Sequence, residues 1–417
     1  MTDASAAVPA RGPVTRGSVA RVGLATALSA LCGYAVLYLA ARDLEPAGFS
    51  LFGVFWGAFG LVSGAANGLL QESTREVRAM RGQHVPPAET TRPMRIAAVV
   101  GIGAALLIAA TAPLWSAQVF TADQLLSVVL LSIGLAGFCL HATLLGMLAG
   151  VDRWTQYGSL MVTDAAIRVA VAAAAFVLGW GLAGFLWATV AGSVAWLILL
   201  ALSPATREAA RLTAAGSART FLTGAFHSVA AAGASAVLIM GFPVLLKATT
   251  PELGAAGGVV ILAVTLTRAP LLVPLTAMQG NLIAHFVDQS HRRLHALVVP
   301  AAAVTAIGGL GVLAAWWAGP WLLRNAFGPD YQAAGGLLAW FTAGAVAIAL
   351  LTLTGAAAVA AALHRAYAAG WVGATLAAIA LLLLPLGLET RTIVALLCGP
   401  IVGIAVHLYA LATADRV

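Results

Sequence analysis

The stretch VVILAVTLTRAPLLVPLTAMQGNLI, residues 259–283, is 25 residues long, and Arg268 is the only charged residue in it. A helix needs about 20 apolar residues to cross the hydrocarbon core of a membrane, so this stretch predicts a membrane-spanning helix. Arg268 lies near its centre, where a rise of about 1.5 Å per residue places it far from either membrane surface. An arginine facing lipid there would cost at least about 2.5–3.5 kcal/mol, so its guanidinium must face protein or water.

The rest of the chain has a similar composition. Of its 417 residues, 61% are hydrophobic and only 9% are charged, and the mean hydropathy of +0.96 excludes a soluble globular protein. Twelve apolar runs, bounded by charges, prolines and glycine-rich breaks, are long enough to span a membrane. The predicted spans 1 to 12 are residues 22–41, 51–70, 96–115, 125–150, 160–178, 182–202, 228–246, 257–283, 297–317, 335–353, 367–388 and 392–412.

The distribution of positive charge predicts the topology, because arginine and lysine accumulate in cytoplasmic loops. With the N-terminus inside, the inner loops and termini contain 16 cations, and the outer loops contain only Arg42, Lys247, Arg324 and Arg391. Both termini are therefore predicted to be cytoplasmic, and the net charge of +7 reflects topology and not nucleic-acid binding. With 21 arginines, one lysine and abundant alanine, the chain indicates a GC-rich genome and hence a bacterial inner membrane.

Two loops that lie 207 positions apart share a pattern. The loop after span 3 reads PLWSAQVFTAD, residues 113–123, and the loop after span 9 reads PWLLRNAFGPD, residues 320–330, with Pro, Phe and Asp at matching positions. Ordered matches at four places predict an internal duplication. The other matches are ARDLEPAGFSLFGV (41–54) with LKATTPELGAAGGV (246–259), Gln71 with Gln279, and DRWTQY (152–157) with HRAY (364–367).

The duplication predicts the domain organisation. Each half has six spans, an even number, so both halves start on the same side and are related by an axis along the membrane normal. A substrate would bind in the cavity between two such lobes, and rocking of the lobes would give alternating access. The predicted units are a disordered cytoplasmic tail (1–20), an N-terminal lobe (21–203), a cytoplasmic linker (204–220) and a C-terminal lobe (221–417).

Two sequence motifs resemble a known family. LYLAARDLEPAGFSLFGVFW, residues 37–56, is similar to the signature that follows the first helix of polysaccharide and lipid-linked oligosaccharide flippases, and GPWLLRNAFGPDYQAAGG, residues 319–336, is similar to their signature before helix 10. These flippases belong to the multidrug/oligosaccharidyl-lipid/polysaccharide (MOP) exporter superfamily. The resemblance implies an all-α polytopic membrane protein of twelve helices in two lobes, a MATE-like fold. It also implies transfer of an undecaprenyl-diphosphate-linked glycan to the outer leaflet, through a cavity lined by helices 1, 2, 7 and 8.

The charged residues within the spans are candidates for substrate contact. Asp164 is the only carboxylate inside a predicted span, and it lies four residues before Arg168 on one helix face, where the two side chains can pair. Arg268 then lacks an anionic partner, and its five donors suit a diphosphate group. Arg168 is predicted to assist it. The alternative for Arg268 is a structural role, binding backbone carbonyls freed where Pro270 and Pro274 interrupt its helix.

Uncharged and weakly basic residues give further candidates. The amides Asn67, Gln71, Gln279 and Asn281 can bind sugar hydroxyls or join neighbouring helices. Asp164 and His141 are possible coupling residues, whereas the alternative for His141, His227, His285 and His407 is a satisfied contact between helices. Arg42 and Lys247, at matching outer ends of spans 1 and 7, are predicted to form an exit gate or to anchor the helices at the membrane surface.

Several function classes are excluded or kept as alternatives. The only lysine lies in LLKATT and no HExxH, CxxC or EF-hand pattern occurs, so the sequence predicts neither an enzyme nor a bound cofactor or metal. Export of a lipid-linked glycan is the leading hypothesis, with membrane lipid and polysaccharide polymerases or glycosyltransferases as expected partners. A cation-coupled small-molecule exporter and a non-transporting membrane scaffold remain the alternatives.

Overall fold

The computed structural model describes residues 16–81, 89–289 and 293–414, without the side chains of residues 16–20, 81, 277, 280, 281, 284 and 293. Almost all of this part of the chain is helical. The elements are α1 (Arg16–Arg81), β1 (Thr90–Thr91), α2 (Pro93–Val119), α3 (Gln124–Gly150), α4 (Trp154–Leu178), α5 (Gly181–Ala191), the 3-10 turn η1 (Gly192–Val194), α6 (Ala195–Leu202), α7 (Pro204–Ala210), β2 (Ala214–Ala215), α8 (Ala218–Ile239), α9 (Phe242–Ala248), α10 (Gly254–Ala277), α11 (Gln279–Asp288), α12 (Arg293–Phe327), α13 (Gly335–Ala360), α14 (His364–Leu382) and α15 (Leu388–Ala414).

The described helices supply the twelve predicted spans. Eleven helical segments are long and apolar enough to cross a membrane, and the first of them, Arg21–Met80, contains two spans. Glu45 separates these two, because its backbone angles (φ 53°, ψ 172°) are not helical and Pro46 follows it. The chain is thus an all-α polytopic membrane protein. Spans 1 and 2 form α1, span 6 comprises α5, η1 and α6, span 7 comprises α8 and α9, and span 8 comprises α10 and α11.

The two ends of the helix bundle differ in charge. We call the end at which α1, α2 and α8 begin the basic end, because Arg78, Arg92, Arg95, Arg153 and Arg207 lie there. The other end, where α1 bends at Glu45, is the opposite end. Assignment of the basic end to the cytoplasm stays a prediction from charge.

The duplication is visible in the backbone. Asp152 after α3 and Ala362 after α13, 210 positions apart, both have φ 59°. In each turn the N–H of the next residue donates to the carbonyl five positions earlier at 2.9 Å, which is a Schellman closure. The packing repeats too, because α2 packs on α3 as α12 packs on α13, and α4 on α5 as α14 on α15. Equivalent sequences therefore form equivalent structure in the two halves.

The predicted ends of the units differ from the structure in two places. Residues 16–20, predicted to belong to a disordered tail, form the first turn of α1, and residues 1–15 of that tail lie outside the described residues. The predicted linker 204–220 contains α7 and β2, and β2 pairs antiparallel with β1, Thr90 opposite Ala215. The division of the chain into lobes at residues 203 and 221 stays a prediction.

A stripe of glycines joins the two halves. The part of α1 after Glu45 runs antiparallel to α8 and α9, and the missing side chains let the two backbones approach closely. A Cβ on Gly68 would lie 2.3 Å from the backbone nitrogen of Val229, closer than any real contact. We call this contact the glycine seam, and a Cβ at its other members would lie 3.0 Å from Pro243 (Gly57), 3.2 Å from Met240 (Gly60) and 2.7 Å from Ala236 (Gly64).

Candidate functional site: a buried guanidinium beside the glycine seam

The Arg268 side chain is buried within the second half of the chain. Its residue is 7% exposed, and its Nη1 donates to the carbonyl oxygens of Leu238, at 3.3 Å, and Ile239, at 3.1 Å. The guanidinium carbon lies 4.9 Å from the centre of the Phe242 ring, a cation–π contact. The guanidinium therefore faces protein, as its position near mid-span predicts.

The chain provides these two carbonyls for a local reason. In a continuous helix they would accept from the N–H groups of the residues four positions later, Phe242 and Pro243. The helix stops at Ile239, and proline has no N–H, so both oxygens are left for another donor. The structural alternative placed these carbonyls at Pro270 and Pro274 within α10, and that detail is wrong. Arg268 binds the carbonyls of Leu238 and Ile239 on α8 instead.

Two groups of this guanidinium remain unused. Nε and Nη2 of Arg268 are buried and have no hydrogen-bond partner, and no carboxylate pairs with the residue within 16–81, 89–289 and 293–414. A buried cation without an anion is costly, and it carries two free donors. Arg268 thus combines a structural contact through Nη1 with unused capacity to bind an anion.

The first half of the chain covers the turn between α8 and α9, whose carbonyls bind Arg268. The turn between α8 and α9 touches the part of α1 after Glu45: a Cβ on Gly60 would meet Met240, and a Cβ on Gly241 would lie 3.3 Å from the Leu61 side chain. The carbonyls that hold Arg268 and the ring of Phe242 lie at the two ends of this turn. Separation of the halves along the glycine seam would therefore uncover this region.

The predicted pair of Asp164 and Arg168 forms within the first half. Arg168 Nε and Nη2 each donate to one carboxylate oxygen of Asp164 at 3.1 Å, and both side chains are mostly buried. The Arg168 guanidinium also lies 5.3 Å from the centre of the Phe59 ring. Gly192, in the 3-10 turn that breaks span 6, leaves room for the pair, because a Cβ there would collide with both residues. Arg168 packs against Phe59 and Arg268 against Phe242, so the structure does not join them in one contact.

The four histidines considered for coupling or for contacts between helices have different surroundings. His407 is fully buried, its Nδ1 lies 3.1 Å from Thr354 Oγ1, and its Nε2 lies 3.2 Å from the Tyr367 carbonyl, so it makes the satisfied contact between helices that was the alternative. His141 is buried, stacks on the Phe138 ring, and has no partner for Nδ1 among the described residues. The exposed His227 is bonded to a carbonyl of its own helix, and His285 is exposed at the end of α11.

The polar residues predicted to bind sugar stand near the basic end. Asn67 and Gln279 are half-buried and Gln71 is exposed, and none of the three makes a side-chain hydrogen bond to another described residue. The side chain of Asn281 lies outside the described residues. All three described amides are free to bind a ligand.

The two predicted gate residues are in different environments. Arg42 is exposed at the opposite end, as a surface anchor or gate would be. Lys247 is only 8% exposed, and its Nζ donates to the carbonyl of Pro251 at 2.6 Å, so it is not an exposed cation as Arg42 is. It lines a cleft of about 480 Å³ between α1, the end of α2 and residues 247–254.

The two family-like motifs meet at this opposite end. Tyr331, from the second motif, packs edge-on to Phe49, from the first, with ring centres 6.1 Å apart, and Phe327 lies 5.9 Å from the ring of Tyr38. The Tyr331 residue is 1% exposed, and its hydroxyl has no hydrogen-bond partner in the described part of the chain. Burial, followed by the nearby carboxylates of Asp330 and Glu45, raises the pKa of Tyr331 above its ordinary value.

The sequence interpretation missed one buried acid. Glu72 lies two residues beyond predicted span 2, but α1 continues to Arg81 and the Glu72 residue is only 1% exposed. Its carboxylate accepts from Arg75 Nη2 at 2.6 Å and from Ser228 Oγ, on α8, at 3.3 Å. Glu72 thus bridges the two halves at the basic end. An i, i+3 acid–base pair at the end of a span was the available signal.

Known proteins resemble this chain in sequence and in fold. No protein-family model matches the chain. "Uncharacterized protein Rv3630" of Mycobacterium tuberculosis is 69% identical over 406 residues, covering 97% of this chain and 94% of that protein, and "Uncharacterized protein Rv1510" of the same species is 66% identical over 412 residues, covering 99% and 95%.

Solved structures share the fold at low sequence identity. An inward-facing multidrug resistance MATE family transporter of the MOP superfamily has a TM-score of 0.69 at 14% identity, covering 96% of this chain and 98% of that one. A MOP superfamily transporter from Pyrococcus furiosus, described with a binding pocket of reverse polarity that suggests a different function, has a TM-score of 0.63 at 14% identity, covering 96% of each chain. The chain belongs to the family of these mycobacterial proteins and has the fold of the MATE transporters.

Proposed function

We propose that the protein moves an undecaprenyl-diphosphate-linked oligosaccharide across the cytoplasmic membrane by alternating access between its two halves. Its fold is that of known transporters, and the sequence motifs resemble those of glycan flippases. The observation that carries the proposal is the buried Arg268 guanidinium, which has two donor nitrogens without a hydrogen-bond partner and no acidic partner among the described residues. Such a group favours an anionic ligand.

The chemistry of Arg268 fits a diphosphate. The planar guanidinium presents its donors in a fixed arrangement that matches phosphate oxygens, and a water-poor site strengthens each charge-assisted hydrogen bond. In the structure as described, Arg268 is closed off by its own half and by α1 across the glycine seam. The proposal therefore requires the halves to separate before the diphosphate reaches Nε and Nη2.

The broken spans supply the places at which the helices can bend. Span 7 is interrupted at Met240–Gly241, directly after the two carbonyls that bind Arg268. Span 8 is interrupted at Met278, one turn after Pro274. Interruptions of this kind lack a full set of intrahelical hydrogen bonds and are common bending points. Bending there would move Arg268 relative to α1. Glycan hydroxyls would then meet the free amides of Asn67, Gln71 and Gln279.

A second candidate function has its own support. Asp164 and His141 are buried in the first half of the chain, and buried titratable groups are typical of cation-coupled exporters. If the protein exports small molecules in exchange for protons, drug efflux should depend on acid pH and should be lost in Asp164→Asn. Against this candidate, both carboxylate oxygens of Asp164 are already hydrogen-bonded to Arg168.

The proposal is tested by reconstituting the purified protein into vesicles with a fluorescent polyprenyl-diphosphate oligosaccharide. Transfer is followed by the fraction of label that an impermeant quencher reaches with time. We expect transfer of the diphosphate lipid and none of a neutral glycolipid with the same glycan. Transport of a cationic drug with no transfer of the diphosphate lipid would support the exporter instead, and transport of neither, in folded protein, would favour a scaffold.

A further inference from the structure

A cleft at the basic end lies apart from the Arg268 site. It has a volume of about 540 Å³ and opens between the ribbon of β1 and β2 and the first turns of α2 and α8. Because α2 belongs to the first half of the chain and α8 to the second, the cleft lies at the boundary between them. Two arginines, three threonines and four apolar residues line it.

The polar and apolar parts of the lining are separated along the helices. Arg92, the N-cap residue of α2, and Arg95, in its first turn, lie at the mouth of the cleft. Ile96, Val99 and Leu222 lie further from the basic end. Thr90, Thr91 and Thr213 add hydroxyl groups on the side of the ribbon, and the β1–β2 pairing holds the two loops together. A ligand that fits is therefore charged at the mouth and apolar below it.

The charge at the mouth is positive and unpaired. Among the residues described as lining the cleft none is acidic, and neither Arg92 nor Arg95 makes a side-chain hydrogen bond or ion pair with another described residue. Glu89 lies close in sequence, but it does not line the cleft, and its carbonyl accepts from Gly216. Both helices also begin here, so their positive dipole ends add to the potential felt by an anion.

The apolar part of the cleft continues onto the outer surface of the spans. Val99 is 70% exposed and Phe226, one turn after Leu222, is 71% exposed, and on helices of this hydropathy such surfaces contact lipid. A lipid with its headgroup at the charged mouth would therefore place its hydrocarbon chain against this apolar surface. A purely water-soluble anion would leave this apolar part uncovered.

We propose that this cleft binds the phosphate headgroup of an anionic membrane lipid, with Arg92 and Arg95 pairing with the phosphate oxygens and the lipid chain lying against Val99 and Leu222. Threonine hydroxyls of the ribbon complete the headgroup contacts. A lipid in this position touches both halves of the chain, so it ties their basic ends together. The site is separate from the transport path, and its existence does not depend on which cargo the protein carries.

The test measures lipid binding to the full-length protein in nanodiscs. Phe226→Cys, an exposed position one turn beyond the cleft lining, carries a fluorophore in protein whose native cysteines are replaced by alanine. The probes are phosphatidylglycerol and phosphatidylcholine with brominated acyl chains. We expect phosphatidylglycerol to quench the label at lower mole fraction than phosphatidylcholine. Replacing both arginines with glutamine should weaken this preference roughly 25-fold, about fivefold for each cation.

Two controls separate the proposal from its alternatives. Arg365→Gln removes an exposed arginine of the same end, at the start of α14, and should leave the preference unchanged. Arg92→Lys with Arg95→Lys keeps the charges and should retain much of it. Equal quenching by both lipids in the unmodified cleft would overturn the proposal. Displacement of the brominated lipid by inorganic phosphate at equal concentration would overturn the assignment to a lipid and would indicate a soluble anion.

Discussion

Gly68→Ala tests whether the glycine seam holds the two halves together. The new Cβ would lie 2.3 Å from the backbone nitrogen of Val229, whereas ordinary contacts begin at 3.4 Å, so α8 must move by 1.1 Å, the difference between them. The clash is with backbone, which cannot turn aside as a side chain can. Overpacking of this kind costs about 1–3 kcal/mol. This loss of folding free energy is larger than the gain of about 0.5–1 kcal/mol expected when alanine replaces glycine within a helix.

The matched control is Gly33→Ala, in the same helix, where a Cβ meets nothing within 4 Å. We expect Gly68→Ala to lower the unfolding temperature of the purified protein and Gly33→Ala to leave it unchanged or raise it. Opening of the seam is measured by the rate at which a maleimide modifies Ala236→Cys, a buried position opposite Gly64, in protein without native cysteines. The rate should rise in Gly68→Ala. Equal stability and equal labelling of the two alanine variants would refute the reasoning.

Three further predictions follow from the buried polar groups. Asp164→Asn leaves the Arg168 cation unpaired and should destabilise the protein by about 3 kcal/mol in thermal unfolding, and adding Arg168→Leu should recover most of the loss. The raised pKa of Tyr331 means that its contribution to stability is complete below pH ~10 and is lost as the pH rises above it. The unmodified protein should therefore lose stability in thermal unfolding above pH ~10 relative to Tyr331→Phe, which has no phenol to ionise. His407→Phe removes the hydrogen bonds to Thr354 and to the Tyr367 carbonyl and should cost about 1–3 kcal/mol of stability, with glycolipid transfer retained by the folded fraction.

The spans could be predicted because their signal is local. Hydrophobicity over about 20 residues decides whether a segment enters the membrane, and each run was recognisable without knowledge of its neighbours. The helix ends were less predictable, because α1 continues to Arg81 past the last apolar residues and α12 extends over 35 residues. The 3-10 turn of span 6 at Gly192 was not predicted, and the close packing of the Asp164–Arg168 pair against Gly192 involves another helix, which the local sequence does not show.

The candidate site could be predicted only in part, because most of its contacts join separate helices. The Asp164–Arg168 pair follows from an i, i+4 spacing within one helix, which the sequence displays directly. The partners of Arg268 are carbonyls on a different helix, released by Pro243, and nothing near Arg268 in sequence indicates them. The burial of Lys247 and the bridge from Glu72 to Ser228 likewise depend on how separate spans pack.

The central claim is that Arg268 binds the diphosphate of a lipid-linked glycan during transport. It is tested most directly by comparing transfer of the fluorescent polyprenyl-diphosphate oligosaccharide by the unmodified protein, Arg268→Ala, Arg268→Lys and the control Arg365→Ala in vesicles. Folding of each variant is checked first by thermal unfolding, because Arg268 also binds two carbonyls. The account predicts that folded Arg268→Ala loses about 100-fold or more of the rate, as expected for a lost contact of about 3 kcal/mol to a charged group. It also predicts that Arg268→Lys retains part of the rate and that Arg365→Ala retains all of it. Full-rate transfer by folded Arg268→Ala would contradict the claim.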